Sequence, residues 1–389
     1  MRRLLLAMAF TCLTTGVNAT CGGNFGQFVA MLKQEALSLK YKNPLVNSFF
    51  DVAKQDPKVL KADRSQGVFQ KDFITFSRAL ISDHRLTHAK RNARKYAIAF
   101  QNVERDFGVP AGVLLAFWAF ETDFGANQGN FNTLNSLITL AHDCRRPELF
   151  RPQIFAALEL FKRGEFDPTL TQGAWAGEIG MIQMLPKDII DSGTDGDGDR
   201  QVDLQHSAPD ALMTGGHMLK RFGWQANKPW LQEISVPTNL DWSLTGLNRA
   251  YPVSSWKALG VTARNGSLYD SASEASVLLP VGHKGPAFLA YPNFKVYFEW
   301  NQSLVYVTTA AYFATLLAGE PAYSVGNHDQ GLDGFQMKVL QTKLVRLGHD
   351  VGKVDGILGS KTRAAVRAEQ IKLGMPSDAW PTPDLLNRL

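Results

Sequence analysis

Cysteine is scarce in this sequence, with three among 389 residues. Cys12 lies in an N-terminal run that reads as a targeting segment. Arg2 and Arg3 precede the apolar stretch Leu4 to Leu13, and Val17-Asn18-Ala19 supplies the small residues of a cleavage site. Residues 1–19 are therefore set aside from the fold as a signal peptide. Cys21 and Cys144 remain, too few for a small fold stapled by several bridges. In an exported chain they suggest one disulfide, with two free buried thiols as the alternative. Asn18 and Thr20 make a poor lipoprotein box ahead of Cys21, so no lipid anchor is expected. A second membrane span is also lacking. The most apolar late stretch, Leu304 to Ala318, is too short and contains Tyr306 and Tyr312. Long runs of Lys or Arg are missing, although the formal net charge is +5. Mild basicity suits an anionic polymer such as nucleic acid or cell wall, and the scattering of the charges disfavours nucleic acid. Extended repeats and low-complexity tracts are absent. What is present, 45% hydrophobic and 20% charged residues, is an ordinary soluble composition with room for two or three domains.

The chain is organised around Val113 to Gly125, apolar on nearly every side until Glu121 interrupts it. Pro110 suits a first helical turn and Gly125 a stop, which predicts a helix buried all round. Glu121 then sits near the C-terminal end of that helix, where the macrodipole disfavours negative charge. Burial and dipole both raise its pKa, and a carboxyl protonated near neutral pH is what a general acid needs. The bland alternative is a Glu that reaches the surface where the helix ends.

Helical spacing organises most of the rest. Phe25, Phe28, Val29 and Leu32 share a face, as do Val68, Phe69, Phe73, Phe76 and Leu80. Arg85 to Phe107 reads as one long amphipathic segment. Helices are expected over 133–141, 152–163 and 302–318. Short strands are expected at Ser276 to Leu279 and Phe294 to Phe298. Gly173 to Pro186 carries three glycines among bulky residues, which predicts close backbone contacts. The polar, turn-forming segment 320–331 reads as a linker. Residues 332–389 form a small helical unit, with Leu340, Leu344 and Leu347 on one face, Gly348 as a stop and a second helix over 362–373.

Four blocks together resemble the lytic murein transglycosylase B family, exported bacterial enzymes that cut peptidoglycan. They are Trp118 to Gly125 with its Glu-Thr pair, Asp143 to Phe150, Gly173 to Pro186, and Asn293 to Ser303 with Tyr306 beyond. The resemblance covers about residues 21–319. The tail, with Leu340-Gln341, Val354-Asp355-Gly356 and Gly359 to Thr362, is similar to the small peptidoglycan-binding module of many wall enzymes. The implied architecture is a mainly α (α+β), lysozyme-like catalytic domain with small β elements over 20–319, then the linker, then a helical module over 332–389.

The resemblance implies one catalytic carboxyl, here Glu121. It protonates the glycosidic oxygen between N-acetylmuramic acid and N-acetylglucosamine, then takes a proton from the muramic C6 hydroxyl, so that a 1,6-anhydro end forms without water. A single buried acid fits this better than the two carboxylates of ordinary glycosidases, because the nucleophile belongs to the substrate. Asp123 is predicted to point away from Glu121, while Glu178 could approach it. Gln183, Asn301 and Tyr306 match cleft residues of the family, with satisfaction of loop backbone groups as the alternative for Gln183. Arg145 and Arg146 match a cleft-edge pair suited to carboxylates, with a structural ion pair as the alternative. Trp175 and Trp300 are candidates for stacking on sugars or for core packing. Ala174, Met184, Met218 and Trp300 depart from the family pattern and are expected to alter the cleft wall. A hydrolytic muramidase with Glu178 as base, and a non-enzymatic wall-binding protein with a decayed cleft, remain alternatives.

Asp195, Asp197 and Asp199 occupy positions 1, 3 and 5 of an EF-hand-like loop, with Asp203 at position 9. Arg200 replaces the Gly at position 6 and His206 stands where the bidentate acid belongs, leaving Asp210 to supply it. A structural Ca²⁺ is one reading of this segment and a turn-rich acidic surface loop the other, and no cofactor is required for the chemistry. The expected partners are peptidoglycan glycan strands and other cell-wall enzymes, with the periplasm as the location.

Overall fold

A computed structural model describes residues 21–65 and 71–389, so the expected signal peptide, Val68 and Phe69 lie outside the described residues. Among the described residues the architecture is mainly α, with seventeen helices, one five-stranded antiparallel sheet and a two-stranded ribbon. No helix there is long and apolar enough to cross a membrane.

The helix Ala111–Thr122 forms the axis of the fold. Every residue from Val113 to Ala119 is buried, as its all-round apolar sequence requires. It packs against Leu304–Leu317, another helix buried along most of its length. Gly112 permits the approach, since a Cβ there would lie 3.1 Å from the Ala314 carbonyl oxygen. Around this pair the N-terminal helices Phe25–Ser38, Asn43–Phe50, Pro57–Arg64 and Phe73–Leu80 bury Phe28, Leu32, Phe49, Val59 and Phe73 in one core. Asn24, Asp56 and Asp72 cap three of them by accepting backbone N–H bonds. The segment expected to run unbroken over 85–107 is two helices, Asp83–Lys95 and Ala97–Phe107, separated where Tyr96 leaves helical geometry. Cys21 and Cys144 are joined in the disulfide that the sequence suggested, which pins the start of the described chain beside the end of helix Thr133–His142.

The expected strand at Phe294–Phe298 is a helix, Pro292–Trp300. Its run of bulky residues looked extended, but Pro292 opens the first turn and Phe294, Val296 and Tyr297 are buried on the helix instead. The sheet runs in the order Tyr251–Pro252, Glu274–Leu278, Ala287–Ala290, Leu231–Ser235, Thr262–Ala263. It carries its own small core of Leu240, Trp242, Trp256, Leu289 and Tyr291.

Residues 334–389 fold into three helices, Gly334–Arg346, Ser360–Lys372 and Pro383–Arg388, over a core of Met337, Leu340, Leu344, Val366 and Leu385. The segment expected to be a free linker is tied down along its length. Arg264 donates to the Ala322 carbonyl, Tyr323 meets Ser77, Asn327 N–H donates to Lys284 O, and Lys284 pairs with Asp329. The module itself docks on the sheet region. Arg367 donates to Thr245 O at 2.6 Å, Arg363 to Pro280 O at 2.9 Å, and His283 meets Asp378 at 2.6 Å. Trp380 is buried in the main core and its N–H donates to Asp329 O. Local composition marked this segment as polar, but its partners lie far away in sequence.

Candidate active site

Glu121 is the next-to-last residue of its helix. The helix stops because Asp123, Phe124 and Gly125 all turn left-handed, with φ of 51°, 60° and 89°. Thr122 locks the stop. Its hydroxyl donates to Met181 O at 2.5 Å and accepts Gly125 N–H at 2.8 Å. Met181 belongs to the Gly-rich loop 173–186, so this hydroxyl clamps the loop to the end of the acid helix. Within the loop Ile179 and Met184 exchange two backbone hydrogen bonds, and Ala174 N–H donates to Glu178 O. At Gly173 a Cβ would meet Glu178 O at 1.9 Å, which explains the glycine there.

The Glu121 carboxyl receives two donors on the same oxygen. Tyr306 O–H donates at 2.5 Å and Trp300 Nε1–H at 3.2 Å. Burial pushes the carboxyl up to about 7, and the nearby Glu178 charge adds to that, while the Tyr306 and Trp300 donors hold it back. Burial first, and then the Glu121 charge, push the Tyr306 hydroxyl well above its usual range, so it remains a donor. The arrangement is a buried carboxyl that keeps its proton near neutral pH and has two donors ready for its ionised form.

The other predicted residues separate into groups. Trp300 does reach Glu121, but its ring stacks on Phe117 with centroids 4.0 Å apart, so that face is not free for a sugar. Gln183 does not bond the acid. Its amide nitrogen donates to Gln128 O and Gly180 O, which secures the loop where its own φ is 53°. Asn301 accepts Ser303 N–H and shapes the turn that starts the Tyr306 helix. Arg145 and Arg146 both bind Asp63, itself 2% exposed, at 2.6 and 2.5 Å. They form an ion-pair site on a buried anion, the structural alternative that the sequence left open. Met184 and Met218 are buried in the main core, so these two departures change packing and not a cleft wall. Asp123 faces away and pairs with Arg85 at 3.1 Å. Sequence reasoning missed the Thr122–Met181 clamp and the donor role of Trp300. The Glu-Thr pair was the available signal for the clamp.

In the acidic loop three of the five expected ligands converge. Oxygens of Asp195, Asp197 and Asp210 lie within 4.8 Å of one another. Asp199 and Asp203 are not in that cluster; each accepts N–H groups of its own turn, and Asp203 also meets His206. Arg200 takes the left-handed φ of 73° that position 6 demands, so the turn survives without glycine. The carboxylate set fits a hard cation.

The family model described as "Transglycosylase SLT domain" matches residues 24–315. The chain belongs to that transglycosylase family. A second model, "Putative peptidoglycan binding domain", matches residues 334–389. The chain is 26% identical over 216 residues to membrane-bound lytic murein transglycosylase B of Escherichia coli K12, covering 54% of this chain and 58% of that protein's length. Among solved structures it is similar to SltB3 from Pseudomonas aeruginosa in complex with NAG-NAM-pentapeptide, with 34% identity, 94% of this chain and 100% of that chain covered, and a TM-score of 0.87. The Escherichia coli transglycosylase Slt35 in complex with calcium shares the fold at 20% identity, covering 77% of this chain and 96% of that chain with a TM-score of 0.65. The helical fold described above is thus the lysozyme-like one of this family.

Proposed function

We propose that this protein is an exported lytic transglycosylase that cuts peptidoglycan glycan strands in the periplasm and leaves a 1,6-anhydromuramic end. The observation that carries this reading is one buried carboxyl, Glu121, that burial holds protonated up to about pH 7 between two hydrogen-bond donors. Glu121 gives its proton to the glycosidic oxygen as the bond to muramic C1 breaks. Tyr306 and Trp300 donate to the carboxylate so formed. The muramic C6 oxygen then closes on C1 and its proton passes to Glu121, which restores the acid. No external nucleophile has to be activated, and an intramolecular attack gains from proximity. Asp123 is occupied by Arg85 and does not supply a second carboxylate.

Glu178, whose charge acts on Glu121, favours one second reading, a muramidase that adds water. Mass spectrometry of purified peptidoglycan digested by wild type and by Glu121→Gln separates the two. Anhydromuropeptides from the wild type alone support transglycosylation, and reducing ends that vanish in the variant support hydrolysis. Intact strands in both digests overturn the enzyme reading.

The acidic loop belongs to this proposal as a structural Ca²⁺ site of Asp195, Asp197 and Asp210. Calcium should raise the melting temperature of the wild type relative to chelator and leave Asp197→Asn unmoved. Identical melting with and without calcium overturns the site.

A further inference from the structure

The helix Asp83–Lys95 carries one face that no acid neutralises. His84, His88, Arg91 and Lys95 recur at steps of four, three and four, so they share one side of the helix. All four line a cavity of about 330 Å³. Among the described residues none of them is in an ion pair, although Arg91 and Lys95 are exposed and charged. The facing wall is the end of the acid helix, where Trp118, Asp123 and Phe124 line the same cavity. Trp118 lies three residues before Glu121, which places their Cβ atoms roughly 5–6 Å apart.

The wall is a continuous chain of rings. His84 and His88 have centroids 4.0 Å apart, and His88 lies parallel to Phe124 at 6.1 Å. Phe124 meets Trp118 edge-on at 5.6 Å, and Trp118 meets Tyr96 at 5.6 Å. Lys95 Nζ stands 4.7 Å from the Tyr96 centroid. Phe124 keeps its place in the chain with a φ of 60°, a conformation that bulky residues rarely adopt and that gathers at functional sites. The one acid on the lining, Asp123, is taken by Arg85 at 3.1 Å. The cavity therefore offers two unpaired cations and a ring surface, with no free negative charge. By contrast Arg145 and Arg146, the arginines that the sequence offered for carboxylates, are held by Asp63.

We propose that this pocket holds a carboxylate of the peptide borne by the muramic residue next to the bond that Glu121 cuts. The inference rests on the transglycosylase reading. The N-acetylated sugars are uncharged, and the muramic lactyl carboxyl is used up in the amide to the peptide. Negative charge near the cut therefore resides on peptide carboxylates. An extended peptide advances about 3.5 Å per residue, so a few residues reach a wall that begins one helical turn from Glu121. Arg91 and Lys95 supply charge-assisted hydrogen bonds to the carboxylate, and the rings cover the apolar parts of the peptide. The strand is thus held by its side arm on the acid's own helix, which favours muramic residues that carry a peptide.

The test compares wild type with the double variant Arg91→Gln, Lys95→Gln, as full chains, on soluble peptide-bearing glycan strands and on the same strands with their carboxylates methyl-esterified. Both side chains are exposed, so the variant should fold, and an unchanged melting temperature checks this. On native strands the variant should raise KM about fivefold, the effect of losing two exposed charge contacts. Exchanging the two cations, Arg91→Lys with Lys95→Arg, should restore it. On esterified strands wild type should fall to the level of the variant. A variant that matches wild type on native strands overturns the proposal. So does a loss by the same factor on both kinds of strand. Inorganic phosphate separates the two sources of anion. Inhibition by phosphate that the variant escapes, without any preference for native over esterified strands, gives the pocket to phosphate and also overturns the proposal. Fluorescence titration of Glu121→Gln, with and without the two substitutions, should show the same fivefold change in strand binding. That readout does not depend on the reaction, so failure of the transglycosylase reading shows separately, in wild-type digests without anhydro ends.

Discussion

Replacing Glu121 by Gln should make the protein more stable at neutral and alkaline pH while abolishing cleavage. A free glutamate carboxyl has a pKa of 4.5, and burial at the end of the acid helix moves this one to about 7. Between those values the folded protein binds a proton that the unfolded chain has released, so stability falls as pH rises. Below pH 4.5 both states are protonated and nothing is lost. Above about pH 7 the full penalty applies, on the order of 3 kcal/mol at 1.36 kcal/mol per pKa unit. Glutamine retains an oxygen to accept from Tyr306 and Trp300 and has no proton to lose. Its buried amide group adds an offset that does not vary with pH, so the slope is the quantity to read. Urea unfolding of wild type and Glu121→Gln followed by tryptophan fluorescence at pH 4.5, 6, 7 and 8 measures it. The difference should grow in favour of the variant across this window by roughly 3 kcal/mol. A difference that is flat with pH, or that grows in favour of the wild type, refutes the placement of Glu121 as a buried protonated acid.

Three further outcomes follow from the same geometry. Tyr306→Phe removes a donor to the ionised acid, worth about 1.5–3 kcal/mol for a charged group, so the alkaline limb of kcat/KM should rise by about one to two pH units while kcat falls. Cys144→Ser opens a bridge between residues 123 apart and should cost about 5 kcal/mol by chain entropy, read as a lowered melting temperature that reductant reproduces in the wild type. Trp380→Ala empties a site packed between Gly282 and Gly331 and should destabilise the docked C-terminal module by about 3–5 kcal/mol, read as a separate early unfolding transition and faster proteolysis near residue 330.

The centre of the molecule was legible because it is local. Pro110, an unbroken apolar run and one acid before a left-handed stop define a buried helix with a perturbed carboxyl, and that is what the chain builds. Tyr306 was found through a block of fixed spacing. The sequence was less legible where one residue's surroundings are set by another far away. Arg145 and Arg146 resemble a ligand-reading pair until Asp63, some eighty positions earlier, is placed between them. Gln183 has the right type for a cleft, but its strained turn leaves two carbonyls that need a donor. The Phe294–Phe298 run fits either period, and only the proline before it distinguishes helix from strand. Polar composition marks 320–331 as linker without revealing that Lys284, Arg264 and Ser77 are waiting for it.

The fixed seat of the C-terminal module has a metric consequence. A module on a loose tether samples a sphere and raises the concentration of its partner everywhere within reach. A module bolted through Arg363, Arg367 and Asp378 samples one point. If it grips the same strand that the cleft cuts, only bonds at one offset from the grip come into register with Glu121, and all others are missed. Such a molecule behaves as a caliper, whose cuts are spaced by its own span.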